Sequence, residues 1–243
     1  STLSSSSAAS DVYKRQYVDS NLVGFVNILE LCRHRGVQHL VYASSSSVYG
    51  DSATPPFSED QRVDQPRSLY AATKAANELM AHTYAQLYGL HATGLRFFTV
   101  YGAWGRPDMA PLLFSCAVLA GRPIEVFNQG RMQRDFTHVS DIVSGILGAL
   151  AHPADGPVPH RVFNLGNHTP VELERFISVI EQAAGRPAQK VYKPMQPGDM
   201  VRTMADTRRA HDAFGFDAVT PIEQGLPPVV QWCREYFLSL IHI

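Results

Sequence analysis

The sequence predicts an α/β fold with a parallel sheet and crossover helices. Two observations carry this. Stretches with helical periodicity alternate with short apolar runs of strand length along most of the chain, the pattern of consecutive βα units. Apolar residues make up 45% and charged residues 18% of the 243 positions, in keeping with a globular chain that buries a sizeable core.

The elements follow in order. A helix is expected near Asp19–Arg35 and stops at Gly36, since glycine accepts the left-handed backbone that ends helices. The apolar run Val41-Tyr42-Ala43 marks a buried strand near His39–Ala43, with the serine run Ser44–Ser47 at its carboxyl end. A loop runs to Arg67, then a helix over Leu69–Tyr88 and a strand over His91–Phe97. Further on come a helix near Ala110–Ala120, short strands near Ile124–Phe127 and Asp135–His138, a helix over Val139–Ala151 and a strand at Val162–Asn164. Pro170 is expected near the first turn of a helix that runs to Ala184, where proline is tolerated. A strand near Lys190–Tyr192 and helices near Thr207–Phe214 and Pro221–Tyr236 complete the order.

Several function classes are disfavoured. The net charge of −1 leaves no electrostatic footprint for nucleic acid. No apolar run reaches transmembrane length, so no membrane association is expected. Cys32, Cys116 and Cys233 are far apart in sequence, which gives neither metal-ligand spacing nor a disulfide framework. This fits a reducing, cytoplasmic setting. No internal repeat is present.

The chemistry-bearing feature is Tyr70-Ala-Ala-Thr-Lys74. Residues four apart on a helix share a face. An ammonium beside a phenol favours the tyrosinate, and a tyrosinate near neutral pH is a general base for a hydroxyl. A serine hydroxyl at the end of a neighbouring strand can share that proton, and open α/β sheets bind ligands at the carboxyl ends of their strands. The spacing alone also fits a solvated helix face. The helix, turn and strand before the serines supply the context that such a motif needs.

Three segments in fixed order, Ala43–Gly50 (ASSSSVYG), Ser68–Lys74 (SLYAATK) and Leu95–Gly102 (LRFFTVYG), carry a resemblance. Together they are similar to the extended short-chain dehydrogenase/reductase family, in its branch of NAD-dependent epimerases and dehydratases, and most to UDP-glucuronate 4-epimerases. The resemblance runs from about Tyr17 to about Tyr236. It implies the C-terminal part of a doubly wound parallel, Rossmann-type sheet with a smaller α/β substrate domain. Family members begin with a Gly-x-x-Gly-x-x-Gly turn that cradles the dinucleotide. That turn is absent from these 243 residues, so the first strands and the glycine-rich turn are expected to be missing.

The two ends are related at the level of DNA. Asp11–Gln16 back-translates to GAT GTG TAT AAG AGA CAG, whose reverse complement reads Leu-Ser-Leu-Ile-His-Ile, the residues of Leu238–Ile243. Ser6–Ser10 likewise reads from TCG TCG GCA GCG TCA. Both resemble translated sequencing-adapter DNA. Residues 1–16 and 238–243 are therefore expected to be adapter-derived and not native, and such segments stay out of fold reasoning. Residues 17–104 are expected to form the remaining part of the NAD-binding domain. Residues 105–237 are expected to form mainly the sugar-nucleotide domain, interleaved with it.

The resemblance assigns roles residue by residue. Ser45, Tyr70 and Lys74 are the expected catalytic set, with Lys74 lowering the Tyr70 pKa and meeting the nicotinamide ribose. Asn21, Tyr70, Lys74 and Phe98 are expected at NAD; the plain alternatives are helix capping for Asn21 and core packing for Phe98. Ser45, Ser46, Ser47, Thr99, Arg106, Arg134, Gln196 and Asp199 are expected at a UDP-sugar. Related dehydratases carry Asp-Glu directly after the catalytic hydroxyl. Ser46 and Ser47 stand there instead, which favours simple epimerisation. Arg106, in GAWGRPDM, suits a uronate carboxylate, which a guanidinium grips bidentately; a surface salt bridge is the plain alternative. No metal is expected.

The reading is an NAD-dependent nucleotide-sugar 4-epimerase that interconverts UDP-glucuronate and UDP-galacturonate. The alternatives are a UDP-glucose 4-epimerase or another nucleotide-sugar epimerase or dehydratase, and a non-catalytic nucleotide-binding protein of the same fold. The isolated chain is expected to be inactive. A homodimer through the helices near 19–35 and 69–88 is expected from the family.

Overall fold

The computed structural model describes residues 14–51, 53–195 and 200–238. The chain enters through a short helix, Lys14–Tyr17, and a wider π-type turn, Val18–Val23, which run straight into α1 (Gly24–Arg35). α1 ends at Gly36, which takes φ 61° and so lets the Val37 N–H reach the Cys32 carbonyl at 3.0 Å. β1 (Leu40–Ser45) continues directly into a 3₁₀ turn, Ser46–Tyr49, capped by the Ser45 side chain. At Gly50 (φ 49°) a Cβ would stand 1.9 Å from the Gln65 carbonyl oxygen, so only glycine lets the long loop close here.

α2 (Leu69–Tyr88) starts where the Ser68 Oγ accepts the Ala71 N–H at 3.1 Å and stops at Gly89, φ 65°. β2 (Ala92–Phe97) and β3 (Thr99–Tyr101) follow. Next come α3 (Ala110–Leu119), β4 (Pro123–Val126), β5 (Gln133–Arg134), β6 (Phe136–His138), α4 (Val139–Ala151) and β7 (His160–Leu165). β8 (Val171–Glu172), α5 (Leu173–Ala184), β9 (Gln189–Tyr192), α6 (Arg208–Phe214) and α7 (Ile222–Cys233) complete the chain, and a π-type turn, Arg234–Leu238, prolongs α7.

β1, β2 and β7 form a parallel sheet in that order, with Ser44 opposite Arg96 and Arg96 opposite Asn164. Helices cover both faces. On one side Leu29 and Cys32 of α1 and Ala81 of α2 pack on Tyr42 and Ala92. On the other, Ile142 and Ala149 of α4 and Ala210 of α6 pack on Leu95, Phe163 and Leu165. The architecture is thus doubly wound, as the alternation predicts. A separate apolar cluster joins α3, α5 and α7 to β4, with Phe114, Val118, Ile124, Phe176, Ile180, Leu226 and Val230 among its members. Among the described residues, no helix is long and apolar enough to cross a membrane.

Two sequence expectations shift. Pro170 precedes β8 instead of opening a helix, and α5 begins only at Leu173 with Glu172 as its cap. Val171 pairs with Arg134 across an antiparallel ladder, so a tertiary contact overrides the local helix signal. Asp135, expected inside one strand, lies between β5 and β6.

One polar cluster runs through the sheet's α2 face. Glu78 of α2 takes a two-pronged contact from Arg96 of β2, at 2.9 and 2.7 Å, with both side chains under 9% exposed. Ser44 donates to the same carboxylate at 2.5 Å. The Arg96 guanidinium lies 4.8 Å from the Tyr49 ring centroid, and the Tyr49 hydroxyl donates to Asn164 at 2.7 Å. Removing one member of a buried ion pair strands the other in a medium that solvates it poorly. Glu78→Ala should therefore cost about 3–5 kcal/mol in a urea titration, and Glu78→Met with Arg96→Met should recover much of it. A single variant as stable as wild type would contradict this account.

Candidate active site

The carboxyl end of β1 and the first turns of α2 meet, and the sequence-predicted set gathers there. The Ser45 Oγ accepts the Ser47 N–H at 3.2 Å and the Ser47 hydroxyl at 2.9 Å. Ser45 also holds the Tyr70 pKa down against burial. It therefore caps the 3₁₀ turn and acts on the phenol at once. Ser46 begins that turn and is half-buried.

Lys74 sits one turn along α2 from Tyr70. Its Nζ donates to the Ala43 carbonyl at 3.2 Å and lies 5.9 Å from the Tyr70 ring centroid. Burial holds the Lys74 pKa below its ordinary value. Burial pushes the Tyr70 pKa up, the Ser45 hydrogen bond and the Arg106 charge pull it back, and Tyr17 adds to the rise. Lys74 on the same helix and Arg106 from another loop are the cations placed about Tyr70, and desolvation of the half-buried ring outweighs what lowers its pKa.

Arg106 comes from the loop between β3 and α3. It grips Asp108 two-pronged, at 3.1 and 2.5 Å, and its side chain is 67% exposed. The surface salt bridge and the position near Tyr70 therefore coexist. Sequence reasoning missed Tyr17, whose ring lies 5.5 Å from that of Tyr70 at an interplanar angle of 56°. An aromatic residue entering a helix gives no local signal of the ring it will meet.

Asn21 does not cap a helix. Its Nδ2 donates to Thr73 Oγ1 at 3.0 Å and its carbonyl accepts from Asn77 at 2.6 Å, so it ties the entry turn to α2. Thr73 in turn donates to the Tyr70 carbonyl at 2.8 Å. Phe98 is buried with Tyr49, Phe57 and Ala205, a core position like its plain alternative. Thr99 is half-buried at the start of β3, and its N–H reaches the Asp135 carbonyl at 3.2 Å.

Arg134 lies on β5, half-buried, and donates to the Gln133 carbonyl at 3.2 Å. Gln196 and Asp199 lie outside the described residues. The segment just after them returns to Gln133, whose N–H meets the Val201 carbonyl at 2.9 Å. Beside Arg134, Asp135 is fully buried and accepts the N–H groups of Asn167 at 2.6 Å, Ala205 at 2.8 Å and His168 at 3.2 Å. Burial still leaves its pKa raised. An acid within a strand-like run was the signal in the sequence for this joint. Among the described residues no cluster of His, Cys, Asp or Glu could hold a metal ion. Cys116 and Cys233, remote in sequence, are free thiols in the apolar cluster that joins α3 and α7.

Comparison with known proteins places this geometry. The profile of the NAD dependent epimerase/dehydratase family matches residues 2–166. The chain belongs to that family. Protein CapI of Staphylococcus aureus, a relative, is 48% identical over 237 residues, which cover 92% of this chain and 71% of CapI. UDP-glucuronate 4-epimerase 2 of Arabidopsis thaliana is 46% identical over 235 residues, 91% of this chain, and the chain spans 54% of its length. The crystal structure of UDP-glucuronic acid 4-epimerase from Bacillus cereus with UDP-glucuronic acid and NAD superposes with a TM-score of 0.83 at 30% identity. That match covers 90% of this chain and 68% of the Bacillus cereus chain.

In this epimerase/dehydratase chain, Ser45 opposes the effect of burial on Tyr70. Ser45→Ala should therefore move the Tyr70 titration to higher pH, read as tyrosinate absorbance against the same variant carrying Tyr70→Phe. Loss of the cap on the 3₁₀ turn should cost about 1 kcal/mol of stability. A Tyr70 titration that stays in place or falls would contradict the contact.

Proposed function

We propose that the chain carries the catalytic residues of an NAD-dependent nucleotide-sugar 4-epimerase acting on UDP-glucuronate. The observation that carries the reading is the placement of Ser45 at the carboxyl end of β1 against Tyr70 and Lys74 on α2, with the Lys74 Nζ 5.9 Å from the Tyr70 ring centroid and donating to the Ala43 carbonyl at 3.2 Å. Relatives whose names state UDP-glucuronate 4-epimerase support it.

The residues present fit one end of NAD. A half-buried lysine ammonium next to a phenol is a donor set that suits the nicotinamide ribose diol. Asn21, joined to Thr73, stands behind them. When bound, NAD supplies the hydride acceptor that oxidation of a secondary alcohol requires. The 243 residues contain no Gly-x-x-Gly-x-x-Gly turn, so we infer that the chain by itself neither retains NAD tightly nor turns over. Stoichiometric NAD on the purified chain would overturn that inference.

Tyr70 is the acid/base: it takes the proton of the sugar 4-hydroxyl and, once the 4-keto sugar has turned over, returns a proton to the 4-oxygen as carbon four is reduced from its other face. Ser45 shares that proton through its hydrogen bond. Burial favours the protonated phenol, so the base form depends on positive charge at Arg106 and Lys74. Arg106 also suits a uronate. A 4-keto uronate is a β-keto acid prone to lose carbon dioxide, and a two-pronged grip holds its carboxylate out of the overlap that loss requires. Ser46 and Ser47 carry no carboxylates for elimination, which disfavours a dehydratase. Arg134, Thr99, Gln196 and Asp199 are assigned to the UDP-sugar, Phe98 to the nicotinamide side, and residues 105–237 to the domain that holds the sugar nucleotide. We also infer a homodimer through α1 and α2, whose outer faces expose Ile28, Leu31, Leu79 and Leu87.

Four outcomes test the reading. Joined behind the glycine-rich NAD-binding segment of a relative, the chain should epimerise UDP-glucuronate. Tyr70→Phe should then lower kcat by about 10²–10⁴-fold, the range of a lost general acid/base; a near wild-type rate would sink the assignment. Arg106→Ala should weaken UDP-glucuronate far more than UDP-glucose, and equal losses would favour a neutral-sugar epimerase. Leu79→Lys should shift the sedimentation of the chain from dimer to monomer, and a wild-type monomer would refute the interface.

A further inference from the structure

The loop that carries Arg106 is held from outside the site. Trp104 adopts φ 62°, a left-handed backbone that a bulky side chain avoids unless its surroundings hold it there. Its ring is 72% exposed, yet it is not loose. It lies 5.1 Å from the Trp232 ring centroid at 55° and 5.1 Å from that of Tyr236 at 68°. Trp232 and Tyr236 are themselves stacked, 5.2 Å apart at 13°. These are favourable ring arrangements, and the two partner rings come from the carboxyl end of α7 and the turn after it.

The rest of the segment is equally confined. A Cβ on Gly102 would stand 2.5 Å from a Val139 methyl. One on Gly105 would stand 3.2 Å from both the Gly102 carbonyl oxygen and a Leu112 methyl. The Met109 N–H closes on the Arg106 carbonyl at 3.2 Å just before α3. Both ends of the loop are pinned by close packing, and its middle by the Trp104 ring.

We propose that Trp104, clamped by Trp232 and Tyr236, is a positioning residue that holds the Arg106 loop so that its guanidinium acts on Tyr70 and is presented to an anionic group on the sugar. α7 thereby governs which sugars the site prefers. The part concerning the sugar rests on the uronate reading above; the part concerning Tyr70 does not.

The experiment uses the chain itself. Its two tryptophans are Trp104 and Trp232, so their exciton-coupled circular-dichroism band reports the clamp directly. Trp104→Gly admits the left-handed backbone and removes only the ring, whereas Trp104→Phe keeps a ring in place. Around Tyr70, Ser45, Tyr17, Lys74 and Arg106 are the polar and charged neighbours, and Arg106 opposes the rise that burial causes. With the clamp lost, the Tyr70 titration should move to higher pH in Trp104→Gly and in Trp232→Ala, but not in Trp104→Phe. UDP-glucuronate binding should weaken by about tenfold in the first two, as for a lost charge-assisted contact, with UDP-glucose changed by less than about twofold. A Trp104→Gly chain that loses the band and keeps both the Tyr70 titration and its uronate affinity would overturn the proposal. Equal weakening of both sugars with an unmoved titration would also overturn it. If Arg106→Ala leaves the uronate preference intact, the uronate reading fails, and the Tyr70 titration alone decides the clamp.

Discussion

The Arg96–Glu78 pair is the joint on which the site depends. Glu78 lies two turns along α2 from Tyr70, and Arg96 faces Ser44 across the β1–β2 ladder. The two-pronged grip of Arg96 and the Ser44 hydrogen bond fix α2 in one rotation and one register against the end of β1. Ser45 follows Ser44 directly, so the same joint determines that Ser45 and Tyr70 meet. The value of the pair is positional. Apolar residues could fill that volume at little cost in stability, but they would not select one register. Tyr49 and Asn164 extend the joint to β7 and then, through the Phe57 and Asp206 carbonyls, to the loops that close over the sheet.

Much of this was legible in the sequence where the determinants are local. Gly36 and Gly89 stop their helices because each takes a positive φ. Ser68 opens α2 because its hydroxyl meets an orphan N–H, and that cap fixes Tyr70 and Lys74 on one helix. The failures are all tertiary. Lys74 shares the helix with Tyr70, yet its ammonium donates to a strand carbonyl, and a further charge that acts on the phenol arrives from a distant loop. Pro170 carries a helix-start signal that pairing of β8 with β5 overrides. Tyr17, Asp135 and the cluster that holds Cys116 and Cys233 join residues whose separation along the chain hides them from any periodicity.

Two guanidinium–carboxylate pairs of the same two-pronged form serve opposite ends. Arg96 and Glu78 are buried, so neither partner can exchange without leaving a charge stranded. Arg106 and Asp108 are exposed, and an exposed pair contributes little because water solvates both partners well. A ligand carboxylate can therefore replace Asp108 on Arg106 at small cost, while none can replace Glu78 on Arg96. Burial alone separates the guanidinium that holds the fold from the one available to a substrate. Because the exposed pair cannot anchor its own loop, the loop needs an anchor elsewhere, and the apolar contacts at Gly102, Trp104 and Leu112 supply it without neutralising the charge.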